Sequence, residues 1–300
     1  MKKTIAIITS DPESINYEII KKSLFFFKKK NKNNYLFIGS KELLKKNSID
    51  ISFLEVIDVK WDGNKKKYLK KSFEKFINLY NSKKVHALIN LPLSKKDIFG
   101  NTFPGVTEYI SSKFMCTGKE TMLLYNHLFS VSPLTTHIKV KDISINIKIK
   151  KIINNFHNIL NFYKKTIKIK NPLIGILGLN PHNAVDTYFK SEEQKIIIPS
   201  LKKLQKKFKK NIIGPISPDT SFLQREDKKI NSLIGMYHDQ VLTTFKYINK
   251  FSAINITLGL PFVRMSPDHG TASDIIGKNK ANPESFLYCL NFFEKFHKSI

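Results

Sequence analysis

The chain alternates short apolar runs with longer stretches in which lysines interrupt a helical spacing of apolar residues. KTIAIITS, NYLFIGS, ISFLEVIDV and VHALINLPLS are the apolar runs of the first third; PLIGILGLN, NIIGPIS, SLIGMYH and SAINITLGLPF follow in the second half. Runs of this length, rich in Ile, Leu and Val and bounded by Gly, Pro, Asn or Ser, predict buried strands. Between them, YEIIKKSLFFFKKK, KKKYLKKSFEKFINLYNSKK, SEEQKIIIPSLKKLQKKFKK and PESFLYCLNFFEKFHKSI predict helices. In the first of these, Ile19, Ile20, Leu24 and Phe27 mark the face turned to a sheet. The stretch KDISINIKIKKIINNFHNILNFYKKTIKIKN is the same pattern diluted by Lys and Asn. Strand and helix in alternation over 300 residues predict an α/β fold with largely parallel sheet, and enough chain for two domains.

Several apolar runs end in compact polar clusters: SDPE at 10–13, NPHN at 180–183, SPDTSF at 217–222, YHDQ at 237–240 and FVRMSPDHGT at 262–271. Polar side chains at the end of a buried strand are costly unless paired. A histidine beside a carboxylate, as in His238–Asp239, has an ordinary structural explanation as a satisfied hydrogen bond. Five such endings are different, because ligands in open α/β sheets gather outside the carboxyl ends of strands. They read as one site assembled from separated pieces of chain.

Composition changes this picture little. The formal net charge is +27, yet of 51 basic residues only Arg225 and Arg264 are arginine. Sequence-reading nucleic-acid proteins favour the planar, bidentate arginine fork. Lysines spread along the whole chain with Asn, Ile and Phe match an A/T-rich codon bias, so no specific nucleic acid is expected, although an anionic substrate would be drawn in. No apolar run approaches the roughly 20 residues of a membrane span, and no membrane association is expected. The opening TIAII meets Asp11 and Glu13 at once and reads as a first strand rather than a signal segment. Cys116 and Cys289 have neither zinc nor disulfide spacing, which points to a reducing, cytoplasmic setting.

LGLNPHN, GPISPDTSF, MYHDQV with a following FK, and NITLGLPFVRMSPDHGTASDIIGK together resemble the 4-hydroxythreonine-4-phosphate dehydrogenase family of pyridoxal phosphate synthesis. The likeness is dense from Leu177 to Lys278, fainter in TTHIKVKDI around His137, and over the first hundred residues lies mainly in strand order. The resemblance implies two α/β/α domains around a cleft, as in isocitrate and isopropylmalate dehydrogenases. Residues 1–100 with 275–300 would form the first, and 101–274 the second, carrying most metal and substrate residues. It also implies a homodimer with its active site at the subunit interface.

Carried over residue by residue, the resemblance gives His137, His182 and His238 as ligands of a divalent ion (zinc, magnesium or cobalt), with Asp239 beside them as an orienting partner. Thr107, Lys246, Asn255 and Arg264 would bind the substrate. NAD or NADP would accept hydride, and no GxGxxG is needed for it in this fold; the residues that hold the cofactor are not read from the sequence. Asp219 of SPDTSF is the candidate proton acceptor or orienting group; an Asx-type turn after Pro218 is the other reading of it. The implied reaction oxidises 4-phosphooxy-L-threonine to 2-amino-3-oxo-4-phosphooxybutanoate, which loses carbon dioxide to give 3-amino-2-oxopropyl phosphate.

The chain departs from the family pattern in its loops. A glycine-rich N-terminal loop is SDPESINYE, a PVHK segment is PLSK at 92–95, a GHTE motif is GVTE at 105–108, and an AGEGG-like stretch after His182 is NAVDT. Val106 therefore stands where a substrate-contacting histidine belongs. Three other readings stay open beside the family reaction: a dehydrogenase of another 4-phosphorylated hydroxy acid such as an erythronate or threonate phosphate, a non-catalytic relative that binds metal and phosphorylated ligand, and a polyanion-binding protein.

Overall fold

The computed structural model describes residues 2–94, 103, 105–184 and 190–299. Lys95 of PLSK and residues 185–187 of NAVDT lie outside the described residues. Eleven strands follow in chain order: β1 (Thr4–Ile8), β2 (Asn34–Gly39), β3 (Glu55–Asp58), β4 (Ala87–Asn90), β5 (Thr121–Tyr125), β6 (Ser130–Thr135), β7 (Ile174–Leu177), β8 (Ile212–Ile216), β9 (Ser232–Tyr237), β10 (Ile254–Leu258) and β11 (Val263–Pro267). The chain divides into two compact units. The first comprises Met1–Met115, Phe251–Ile256 and Leu260–Ile300, the second Cys116–Lys250 and Thr257–Gly259. The sequence-based division sets its edges instead at 100 and 274.

In the first unit the strand order is β3-β2-β1-β4-β11-β10, and the pairs β3/β2, β2/β1, β1/β4 and β4/β11 are parallel. Strands flanked on both sides need apolar residues facing both ways. Ile5, Ala6, Ile7 and Ile8 of β1 accordingly have no exposed surface. The helix Lys65–Asn81 starts on Asn64, whose side chain accepts the Lys67 N–H at 3.0 Å. It buries Tyr68, Leu69, Ser72, Phe73 and Phe76 along one face, while its lysines stay outside. Val106, Tyr109 and Ile110 of the helix Val106–Lys113 join the same core. The predicted N-terminal helix is broken at Ser23 into Asn16–Lys22 and Leu24–Phe27. Phe26 rather than Phe27 is its buried aromatic in the second piece.

The second unit has the order β5-β6-β9-β7-β8, with β5/β6 antiparallel and the other pairs parallel. The helix Ile149–Asn161 buries Ile152, Phe156, Ile159 and Leu160, the i, i+4, i+7, i+8 set of one face. Expected strands at 172–180, 211–217 and 232–238 are β7, β8 and β9. The run SAINITLGLPF divides around Gly259, which holds φ +84, into β10 and the approach to β11. Neither β5 nor β6 stands among the apolar runs. β6 (SVSPLT) is buried throughout, and its hydroxyls are used internally. Ser130 Oγ bonds Ser232 Oγ at 2.9 Å, Ser132 Oγ donates to Met122 O at 2.7 Å, and Thr135 Oγ1 donates to Met236 O at 2.8 Å.

Candidate active site

In the second unit, three strand ends present the histidines. β6 and β9 are parallel with Thr135 beside Tyr237, so the next residues of both chains emerge together. His137 and His238 consequently face each other, their ring centroids 6.2 Å apart and their planes tilted by 42°. His238 opens the helix His238–Asn249, and its Nδ1 lies 3.0 Å from Asp239 Oδ1, which fixes the ring's orientation. His137, Ile138, Val140, Ile143, Tyr237 and His238 line a small pocket of about 130 Å³. Gln240 serves the frame of this site. Its Oε1 accepts the Met236 N–H at 2.6 Å, and its Nε2 donates to Gly178 O at 2.9 Å. The end of β9 is thereby tied to the residue that follows β7.

His182 lies on the turn Pro181–Ala184 beyond β7. His182, Asn183 and Ala184 all hold positive φ, at 52°, 58° and 53°. A run of non-glycine residues in the left-handed region is strained and needs support from its surroundings. Glu193 supplies it. Its fully buried carboxylate accepts the N–H groups of Leu179 and Asn180, each at 2.8 Å, and the Asn180 side chain at 2.9 Å. Burial pushes the Glu193 carboxyl up, but these donors outweigh it and hold it below the usual carboxylate range. Asn180 O in turn accepts the Asn183 N–H at 3.1 Å, and Asn183 Nδ2 donates to Pro215 O at 3.2 Å.

Asp219 lies on the turn Pro218–Thr220, which packs against the turn of His182. Its exposed carboxylate accepts the N–H of the next residue, Thr220, at 2.9 Å, one position short of the residue an Asx-type turn would engage. The neighbouring Ser217 hydroxyl, then the Thr220 amide and the His182 ring, hold it below the usual range.

The histidines therefore fall into a pair, His137 with His238, and a separate member, His182 near Asp219. Among the described residues, no three His, Cys, Asp or Glu side chains come close enough to hold one ion. With Zn–N bonds of about 2.1 Å, and a ring centre about 1.1 Å behind its nitrogen, two tetrahedral imidazoles have centroids about 5 Å apart. The pair at 6.2 Å is about 1 Å wider than that spacing, and among the described residues no third His, Cys, Asp or Glu joins it. Lys246 is exposed on the same helix as His238, eight residues further on, or roughly 12 Å along its axis.

The first unit holds Thr107, Asn255 and Arg264, three of the residues expected to bind substrate. Arg264 on β11 is only 3% exposed. Its Nε donates to Asn90 Oδ1 at 2.7 Å and its Nη1 to Thr107 Oγ1 at 3.3 Å. Burial pulls the guanidinium down to about 10, against the opposing influence of the Glu108 carboxylate, so it stays charged at neutral pH. Asn255 on β10 carries a buried Oδ1 without a hydrogen-bond partner among the described residues. Val106 is packed in the core and offers no polar contact.

The N-terminal loop compensates for its lost glycines: Ser10 itself takes φ 59. Asp11 is fully buried, bonded to Lys65 Nζ at 2.9 Å and accepting the Glu13 and Ser94 amides at 2.9 Å each. Glu18 accepts the Ala281 N–H at 2.6 Å and holds Lys22 at 2.9 Å. Asn90 and Glu193 are the site residues that sequence reasoning missed. The available signals were an Asn closing an apolar strand and the acidic pair Glu192–Glu193 shortly after NPHN.

Comparison with known proteins decides the family. The model of the family described as pyridoxal phosphate biosynthetic protein PdxA matches residues 3–292. The chain belongs to this family. Within it, a 4-hydroxythreonine-4-phosphate dehydrogenase of Sulfurihydrogenibium sp. is 38% identical, over 94% of this chain and 95% of that protein. The crystal structure of the 4-hydroxythreonine-4-phosphate dehydrogenase from Klebsiella pneumoniae superposes with a TM-score of 0.80 at 26% identity, covering 97% of this chain and 98% of that one. An isocitrate dehydrogenase from Methylococcus capsulatus shares the fold alone, with a TM-score of 0.56 at 9% identity over 98% of this chain and 85% of that one. The α/β fold of the PdxA family and its likeness in fold to isocitrate dehydrogenase agree with the expectation drawn from the motifs.

Proposed function

We propose that this protein is the dehydrogenase that oxidises 4-hydroxythreonine 4-phosphate (4-phosphooxy-L-threonine) to 2-amino-3-oxo-4-phosphooxybutanoate, the precursor of 3-amino-2-oxopropyl phosphate, in pyridoxal phosphate synthesis. The observation that carries this reading is the buried Arg264, charged at neutral pH and oriented by Asn90 and Thr107, in a chain that meets nearly every other need for positive charge with lysine. A planar cation in a dry setting is suited to a phosphate or carboxylate. Thr107, Asn255 and Lys246 are the further residues we propose for substrate binding.

His137 and His238 would hold the divalent ion (zinc, magnesium or cobalt), with Asp239 keeping the His238 ring in place. In the reading we favour, His182 of a second copy completes the set, because within one chain it stands beside Asp219; the active enzyme is then a homodimer with a shared site. When bound, the ion would acidify the substrate hydroxyl and NAD or NADP would accept the hydride. Asp219, exposed and held ionised below the usual carboxylate range, is suited to orient the proton-bearing group and, less well, to accept its proton. A cytoplasmic setting accords with a small phosphorylated metabolite as substrate.

Purified protein with a divalent metal, NAD and 4-hydroxythreonine 4-phosphate should generate reduced nicotinamide, followed by its absorbance. Mixing inactive His182→Ala and His238→Ala chains should restore part of the turnover if the site is shared, and none if each chain is self-sufficient. The buried Val106 supports one second reading: lacking a histidine there, the protein could prefer an erythronate or threonate phosphate. Turnover on those substrates alone would select that reading, and metal binding without turnover on any of them would mark a non-catalytic relative.

A further inference from the structure

We infer that Asn90 is a positioning residue that aims the Arg264 guanidinium and, being neutral, leaves its charge available to the bound anion. The inference rests on the reading above, in which Arg264 receives an oxyanion of the substrate. β4 and β11 are parallel with Leu88 beside Arg264, so Asn90, two residues further on, projects to the same face as Leu88 at the strand's carboxyl end. It is 3% exposed at the end of the apolar strand ALIN, where a polar side chain is unfavourable unless it bonds. It does bond at both ends. Oδ1 accepts the Arg264 Nε–H at 2.7 Å, and Nδ2 donates to Leu91 O at 3.3 Å. The second contact decides which end of the amide faces the arginine, since a flipped amide would set NH₂ against N–H.

The choice of amide has a chemical meaning. A carboxylate would bond the Nε–H as well and relieve the buried charge, but it would also neutralise the cation that must attract an anion. Glu108 already acts on Arg264 from the neighbouring helix. A second acid at the guanidinium would tip the local balance to net negative. Asn90 therefore fixes direction at no cost in charge, and Thr107 fixes a second point of the same fork through Nη1. An arginine held at two points loses little further freedom when its ligand arrives.

The test is equilibrium binding of 4-hydroxythreonine 4-phosphate to the full chain by calorimetry, without turnover, for wild type, Asn90→Asp, Asn90→Ala and Arg264→Lys, with melting temperatures recorded in parallel. Asn90→Asp should bind at least about tenfold more weakly while melting no earlier than wild type, because it gains an ion pair. Asn90→Ala should lose less affinity, roughly threefold, as direction is lost but charge is kept. This order separates positioning from a merely structural role, which would make Asn90→Ala the worse variant in both affinity and melting temperature. Weakened binding in Arg264→Lys with unchanged binding in Asn90→Asp overturns the inference and leaves the role of Arg264 standing. Unchanged binding in Arg264→Lys removes the role of Arg264 and the inference with it.

Discussion

The arginine cluster of the first unit and the histidine turns of the second are built on opposite plans. Arg264 is buried and bonded at two nitrogens by groups from a neighbouring strand and helix, with its surroundings settled before any ligand arrives. His137 and His182 sit on turns beyond β6 and β7, His238, a third exposed, opens the helix after β9, and within one chain the three do not converge. The difference teaches where each interaction draws its strength. An anion is recognised by a dry, pre-aimed cation, whose value falls if water enters. A metal supplies its own organisation on binding, so its ligands can be held loosely if their turns are held firmly.

The contrast can be broken most directly at Arg264. Arg264→Ala should lose about 3 kcal/mol of transition-state binding, roughly a hundredfold in kcat/KM, and should also destabilise the fold by leaving Asn90 and Glu108 facing a cavity. Steady-state kinetics and a melting curve check both parts; full activity would show that the buried cation serves packing alone. At the other pole, His238→Ala should lower affinity for zinc or cobalt by roughly a hundredfold or more while the melting temperature of the apo protein stays put. Metal titration by calorimetry reads the first effect, and undiminished metal affinity would end the assignment of this ligand.

Glu193→Gln sharpens the comparison by attacking a turn rather than a ligand. Replacing the buried carboxylate should cost about 2 kcal/mol, as charge-assisted bonds to two backbone amides are weakened. It should lower metal affinity about tenfold through the displaced His182. Its pH dependence has a definite sign. The Glu193 carboxyl lies below its ordinary value, so its contribution is fully present above the unfolded pKa of about 4.3 and is lost as pH falls through the folded value. Wild type should therefore destabilise more steeply on acidification than Glu193→Gln, and parallel acid limbs in denaturant titrations would contradict the proposed support. The smallest effect belongs to Ser132→Ala in β6, about 1 kcal/mol, from the Met122 carbonyl left without its donor and Asn155 without a polar neighbour.

That last variant also explains what could and could not be read from the sequence. Strands such as β1, β7 and β9 announce themselves because parallel pairing on both sides demands unbroken apolar runs. β6 is equally buried, yet SVSPLT stands outside the apolar runs, since its serines are compatible with a core only through partners elsewhere in the chain: Met122, Asn155 and Ser232. The helix break at Ser23 escaped notice for a similar reason, because the apolar spacing continues through it. In the candidate site, the fold brings His137 and His238 together, and these, like His182 and Arg264, were named through their motifs. Asn90 and Glu193 were not, because they act on other residues of the site and their importance lies in bonds 174 and 13–14 positions away.

Gln240 has one remaining consequence. A single amide bridges Met236 at the root of one imidazole arm and Gly178 at the root of the other. Lifting the His182 turn must therefore either stretch that bridge or drag the start of the His238 helix along with it. The two arms are geared together, so a cation grasped by one of them should damp the fluctuations of the other before any further ligand is recruited.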